Sequence, residues 1–195
     1  MARTLEFDVD HALDKAMRLF WKTGYARTSL RDLLKAMGIG EGSFYNALKS
    51  KQHAYLECLK RFNATVGRER GEAFMTPHTA ALGIRALFQC VLDCLDDPKA
   101  PSRLCLMSGS IDRDVFVEPE LRKYVQAQLA ELGHAMTARL TADKESGVLP
   151  ADFEPQIVAP VIITYLQGLF RMALLSYDRS RFERQIDAFL KGFGL

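Results

Sequence analysis

Apolar residues recur along this chain every three or four positions, and the runs end on glycine, proline or a capping hydroxyl. From Asp8 or Asp10 the spacing puts Val9, Leu13, Ala16 and Phe20 on one helical face. Gly24 then supplies a stop that tolerates positive φ, with Tyr25 packing back behind it. Thr28 starts a second helix, its hydroxyl capping backbone N–H groups, with Leu30, Leu33, Leu34 and Met37 apolar and Gly38 as terminator. After Gly38-Ile39-Gly40 comes a very short helix, Glu41 to Leu48, with Phe44 and Leu48 at the i, i+4 spacing that faces a core. Ser50 caps a fourth helix running through Tyr55, Cys58, Leu59 and Phe62 toward Val66. Past a short linker near residues 64–78 the pattern predicts longer helices over 79–96, 120–146, 155–177 and 181–193, and a short one over 103–112. Alternating strand patterns between hairpin turns are absent, so the expected fold is all-α.

Composition adds little to this; the placement of charge adds more. Of 195 residues, 48% are hydrophobic and 26% charged, which is ordinary for a folded globular protein. The net charge of +2 does not by itself indicate a nucleic-acid binder. Residues 1–60, however, hold ten basic against seven acidic side chains, and the rest hold sixteen against seventeen. That gradient has the sign required of a DNA-facing N-terminal module. We therefore expect a DNA-binding domain over residues 1–52 and a helical domain for effector binding and dimerisation over residues 53–195. The start carries no apolar core of signal-peptide length, so a cytoplasmic protein with reduced thiols is expected. Residues 157–175 are long and apolar, but Thr164, Gln167 and Arg171 interrupt them, which fits a core or subunit-interface helix and no membrane partner.

Residues 25–51 carry the chemistry. They read as helix, glycine turn and short helix, with Ser43, Tyr45 and Asn46 exposed around an inward Phe44 and Leu48. In a helix-turn-helix the first helix lies across the DNA backbone while the second presents polar side chains to the major groove. Asn46 can pair with adenine N6 and N7, and Glu41 can accept from cytosine N4. Thr28 and Ser29, at a helix N-terminus, can direct hydroxyls and N–H groups at phosphate. Arg27, Lys49 and Lys51 add charge at the flanks.

On these residues the chain resembles the TetR family of bacterial regulators. The matching elements are Gly24-Tyr25, Thr28-Ser29-Leu30-Arg31-Asp32-Leu33, Met37-Gly38-Ile39, Gly42-Ser43-Phe44-Tyr45 and Lys49-Ser50-Lys51, in the family's order and spacing. The resemblance covers roughly residues 8–58. It implies base or phosphate contacts from Ser43, Tyr45, Asn46 and Lys51, and backbone contacts from Thr28 and Ser29; Gly42, between Glu41 and Ser43, is a further candidate for the DNA-binding set. Two residues depart from the pattern. Ala47 stands where an aromatic phosphate contact is common, and Glu41 where a basic or small polar residue is frequent. The resemblance also implies an N-terminal three-helix domain and a C-terminal helical bundle that forms a homodimer through its last two long helices. Gly168 would allow close helix approach there, with Tyr165, Leu169, Met172 and Leu175 nearby. The expected function is that of a repressor released from a palindromic operator by a small-molecule effector or by thiol modification.

Other chemistries find little support. Gly38-Ile39-Gly40-Glu41-Gly42-Ser43 lacks a third phosphate-loop glycine and a preceding strand, so no nucleotide cofactor is implied. His11, His53, His78 and His134 share no metal-ligand spacing with one another or with the cysteines. Ser108 and Ser110 flank Gly109 without a nucleophile elbow, and no enzyme activity is expected. Cys90 and Cys94, four apart, read as small core residues. Cys105, two residues after Arg103 and near a helix start, is a candidate redox or electrophile sensor. Phe62, Phe88, Val91, Cys94, Cys105, Phe116, Tyr124 and Tyr165 are candidates to line an effector cavity.

Overall fold

The computed structural model describes residues 8–195. Residues 1–7, on which the expectation of an unexported start partly rests, lie outside that range. Every regular element among the described residues is helical, as the periodicity predicts.

Helix α1 (Val9–Thr23) starts where Asp8 accepts hydrogen bonds from the backbone N–H groups of Asp10 (3.0 Å) and His11 (3.1 Å). Ala12, Leu13, Ala16 and Phe20 form its buried stripe; Val9, expected on that face, is exposed in the first turn. Gly24, at φ +84°, turns the chain out. Helix α2 (Leu30–Met37) corrects the expected cap. Ser29, not Thr28, begins it: Asp32 N–H donates to Ser29 Oγ and Ser29 N–H donates to the Asp32 carboxylate, both at 3.1 Å. Thr28 is buried instead, its Oγ1 donating to the Gly24 carbonyl (2.7 Å) and lying 2.6 Å from Thr23 Oγ1. Gly38 closes α2 in the left-handed region, at φ +73°. Helix α3 (Glu41–Leu48) keeps its expected bounds. Ser50 then caps α4 (Lys51–Phe62) by accepting from His53 N–H at 3.0 Å.

The expected linker near 64–78 is mostly helix. A π-helical turn, Asn63–Gly67, leads into α5 (Arg68–Met75), a polar helix whose buried residue is Phe74. Then come α6 (Ala80–Asp96), α7 (Leu106–Gly109), α8 (Arg113–Phe116), α9 (Pro119–Glu145), α10 (Pro155–Leu175) and α11 (Arg179–Lys191). The helix expected over 103–112 shrinks to the single turn α7, with Cys105 at its N-cap.

The chain packs as two compact units. The first takes the chain through Thr65 and then Cys105–Val125. Its centre is aromatic: Phe20 meets Tyr55 edge-on at 4.7 Å and Trp21 meets Phe62 at 5.0 Å. Buried Tyr55 and Ser110 share a 2.7 Å hydrogen bond, which ties the later segment to α4. A functional boundary at residue 52 therefore falls inside α4, whose whole length packs in this unit.

The second unit comprises Val66–Leu104 and Gln126–Leu195. Phe74, Ile84, Phe88, Leu92, Met136, Leu140, Ile162 and Phe170 are buried in it, each fully buried large side chain contributing about 1.5–3 kcal/mol. Asp143, buried, accepts from Ala80 N–H at 2.6 Å, and Arg139 donates to the Phe74 and Pro77 carbonyls, so the approach to α6 is clamped by α9. By length and composition α10 could cross a membrane. One side of it, with Val158, Ala159, Ile162, Leu166, Leu169, Phe170 and Ala173, is buried in this unit.

Candidate DNA-binding surface

Helix α3 is held from behind. Phe44 and Leu48 are 0% and 2% exposed, and Phe44 meets the Tyr45 ring edge-on at 5.6 Å. This anchoring leaves Glu41, Gly42, Ser43, Tyr45 and Asn46 exposed on one short rod. Gly40 precedes it without a side-chain cap, so the first-turn N–H groups face outward with the positive end of the helix dipole.

The flanks are less uniform than expected. Arg27 and Lys49 are exposed, Lys49 at φ +58° in the turn that ends α3. Lys51 is half-buried, with its Nζ 4.4 Å above the Tyr25 ring. Partial burial lowers the Lys51 ammonium from its usual range, while the carboxylates of Glu118 and Asp114 oppose that shift. Tyr25 donates to Glu118 Oε1 at 3.2 Å; burial, reinforced by that carboxylate, pushes the phenol up to about 12. Lys51 therefore brings its ammonium to the edge of α3 on an aromatic ring, with the Glu118 carboxylate hydrogen-bonded to the other end of that phenol as its counter-charge.

At the start of α2, Ser29 is exposed but its hydroxyl donates to the Asp32 carboxylate at 2.6 Å, and Thr28 turns its own inward. Of the two hydroxyls expected to reach phosphate, both have partners within the subunit, and only that of Ser29 lies at the surface. Hydrogen bonds from Ser29 lower the Asp32 pKa, keeping that carboxylate ionised. Sequence reasoning passed over Arg31 and Lys35, exposed cations at i, i+4 on α2. Their spacing along the polar side of a crossing helix was the available signal.

The remaining candidates separate. Phe62, Cys105, Phe116 and Tyr124 belong to the first unit, and Phe88, Val91, Cys94 and Tyr165 to the second. Within the second, Phe88 meets Tyr165 edge-on at 5.8 Å, and Tyr165 stacks on Phe189 at 3.9 Å. The expected interface residues on α10 also divide. Gly168, Met172 and Leu175 are exposed, but Leu169 is buried and Tyr165 is committed to that aromatic stack. The exposed stripe is instead completed by Ile157, Val161 and Thr164, at the helical period.

A braced recognition helix after a capped crossing helix, joined to a separate helical unit, defines a helix-turn-helix transcription regulator. Residues 12–58 match the model of the bacterial regulatory proteins of the tetR family. An uncharacterised HTH-type transcriptional regulator of Bacillus subtilis, YezE, is 30% identical, the match covering 97% of this chain and 98% of that protein. The HTH-type transcriptional repressor ComR of Escherichia coli is 30% identical, over 84% of this chain and 78% of its own. Among solved structures, the TetR family regulator CifR complexed with a 26-bp double-strand operator superimposes with a TM-score of 0.86 at 28% identity, over 97% of this chain and 98% of that one. The chain belongs to the tetR family of DNA-binding transcriptional regulators.

Proposed function

We propose that this protein is a cytoplasmic repressor that grips a palindromic operator as a homodimer and lets go when Cys105 is modified. The reading rests on one observation: α3 stands exposed and polar, braced by Phe44 and Leu48. Ser43, Tyr45 and Asn46 read bases or seat against phosphate, and Asn46 suits adenine. Glu41 selects cytosine at the leading end of the helix. Arg27, Ser29, Lys49 and Lys51 carry the phosphate contacts, with Gly42 allowing close approach. In a dimer closed over the exposed stripe of α10, two copies of α3 must stand about one DNA turn, roughly 34 Å, apart. The operator complex of CifR and the repressor activity in ComR's name favour this reading.

Contacts within the first unit support the proposed release step. Cys105 precedes α7, and Ser110 at the end of that turn donates to the Leu106 carbonyl (2.9 Å) and bonds Tyr55. Tyr55 in turn packs at 4.9 Å from Tyr25, on whose ring Lys51 rests. An adduct on Cys105, 5% exposed, cannot be housed without moving α7, and that movement reaches Lys51 through two aromatic rings. A small-molecule effector acting through Phe88 and Tyr165 of the second unit is the alternative trigger.

Selection of bound duplexes from a random pool, with and without mild oxidant, tests both parts. The expected product is a palindrome with half-sites one turn apart, lost on oxidation in the wild type and kept in Cys105→Ser. Equal loss in both proteins removes the thiol mechanism, and no enriched sequence removes the operator reading.

A further inference from the structure

A further pair of thiols, Cys90 and Cys94, belongs to the second unit, whereas Cys105 belongs to the first. Cys90 and Cys94 lie on α6 at i, i+4, and the structure corrects the expectation that both are plain core, since each is partly open to solvent. On a straight helix such a pair has its Cβ atoms about 5–6 Å apart. A disulfide needs about 3.5–4.5 Å, so the two thiols cannot join without unwinding α6. A soft ion that sits about 2.3 Å from each sulfur, the distance typical of metal–thiolate bonds, spans the gap with the helix unchanged.

The surroundings select the same chemistry. Burial raises the Cys90 thiol pKa, the Arg70 guanidinium opposes that rise, and Glu69, Cys94 and Asp93 add to it. A protonated thiol is a poor target for oxidants, whereas a soft ion displaces the proton and takes the sulfur. Asp93, the adjacent hard ligand, is already engaged by Arg179 at 2.8 Å and Gln89 at 3.1 Å. Arg70 is held over the Phe170 ring at 5.4 Å, and its charge favours the thiolate form of Cys90 that a soft ion binds.

We propose that Cys90 and Cys94 form a bidentate site for a soft, thiol-seeking ion such as a trivalent arsenical or a two-coordinate metal cation. With phenylarsine oxide, two As–S bonds form, both thiols lose their protons, and the oxygen leaves as water with arsenic still trivalent. With mercuric ion, two S–Hg bonds form and two protons are released.

The test uses the full chain and phenylarsine oxide, reading intact mass, residual thiol titre and affinity by competition. Wild type and Cys105→Ser should each bind one equivalent and lose two thiols, reversibly by a dithiol and not by a monothiol at equal concentration. Cys90→Ser and Cys94→Ser should each bind about a hundredfold or more weaker, because chelation is lost. Their helical circular dichroism should match the wild type, and Cys90→Ala provides a second replacement at the same position. Wild-type affinity in Cys90→Ser and Cys90→Ala, a stoichiometry of one thiol per probe, or loss of binding in Cys105→Ser would each overturn the site. None of these results depends on operator binding, so the repressor reading stands or falls separately.

Discussion

At the scale of single residues, exposure sorts the proposed base readers from the anchors. Asn46 has no packing role, so Asn46→Ala should relax preference at one base position, at a cost of about 1–3 kcal/mol on the selected site. Lys51→Ala should weaken all duplexes alike. Operator and scrambled-duplex titrations separate the two effects; an unchanged selected site in Asn46→Ala would mean that α3 is docked wrongly. Away from the DNA face, Arg61 donates to both carboxylate oxygens of Asp14, at 2.5 and 3.1 Å, and these bonds lower the Asp14 pKa. A lowered carboxylate stabilises the fold above its unfolded pKa near 3.8 and loses that contribution as pH falls through the lower folded value. Urea midpoints of wild type and Asp14→Asn should therefore differ by a constant amount near neutrality, begin to converge below pH about 4, and meet only below the folded pKa of Asp14. A gap that persists in acid would assign the effect to packing.

At the scale of elements, the reliability of sequence reading depended on whether one residue or its surroundings decided the outcome. The bounds of α3 were legible because glycines precede it and Phe44 and Leu48 leave only one way to turn the helix inward. The cap of α2 was misplaced by one residue. Two adjacent hydroxyls qualify locally, and a tertiary bond from Thr28 to the Gly24 carbonyl selects Ser29. Helix α5 was hidden by the composition of Arg68-Glu69-Arg70-Gly71, polar and broken by glycine, and it is held by docking on α6. On α10, apolar nearly all round, periodicity could not say that Leu169 faces in and Leu175 out. A graded series tests the helix-turn-helix: Ser29→Ala should cost about 1 kcal/mol. Gly38→Ala, at positive φ, should cost about 1–2 kcal/mol. Phe44→Ala should cost about 3–5 kcal/mol, since it empties the brace of α3. Thermal unfolding orders them, and a Phe44 variant as stable as the wild type would contradict the burial described.

At the scale of the whole molecule, the exposed stripe of α10 sets the assembly prediction. Leu175 is 79% exposed and Met172 56%, so Leu175→Asp and Met172→Asp should leave the subunit folded and shift a dimer to monomer in sedimentation. A Cβ at Gly168 would meet nothing within 4 Å in the subunit, so Gly168→Leu should spare folding and act only on association. A wild type that sediments as a monomer at micromolar concentration would refute the interface.

The return of residues 105–125 to the first unit also bears on how such regulators can be cut and recombined. A fragment ending at Thr65 would leave the hydroxyl of Tyr55 without Ser110 and the phenol of Tyr25 without Glu118, two buried or half-buried polar atoms stripped of their partners. We therefore expect that the DNA-binding unit cannot be detached as an N-terminal cassette. A working chimaera must transplant both stretches together, and a graft of the first alone should express as a poorly folded, protease-sensitive chain.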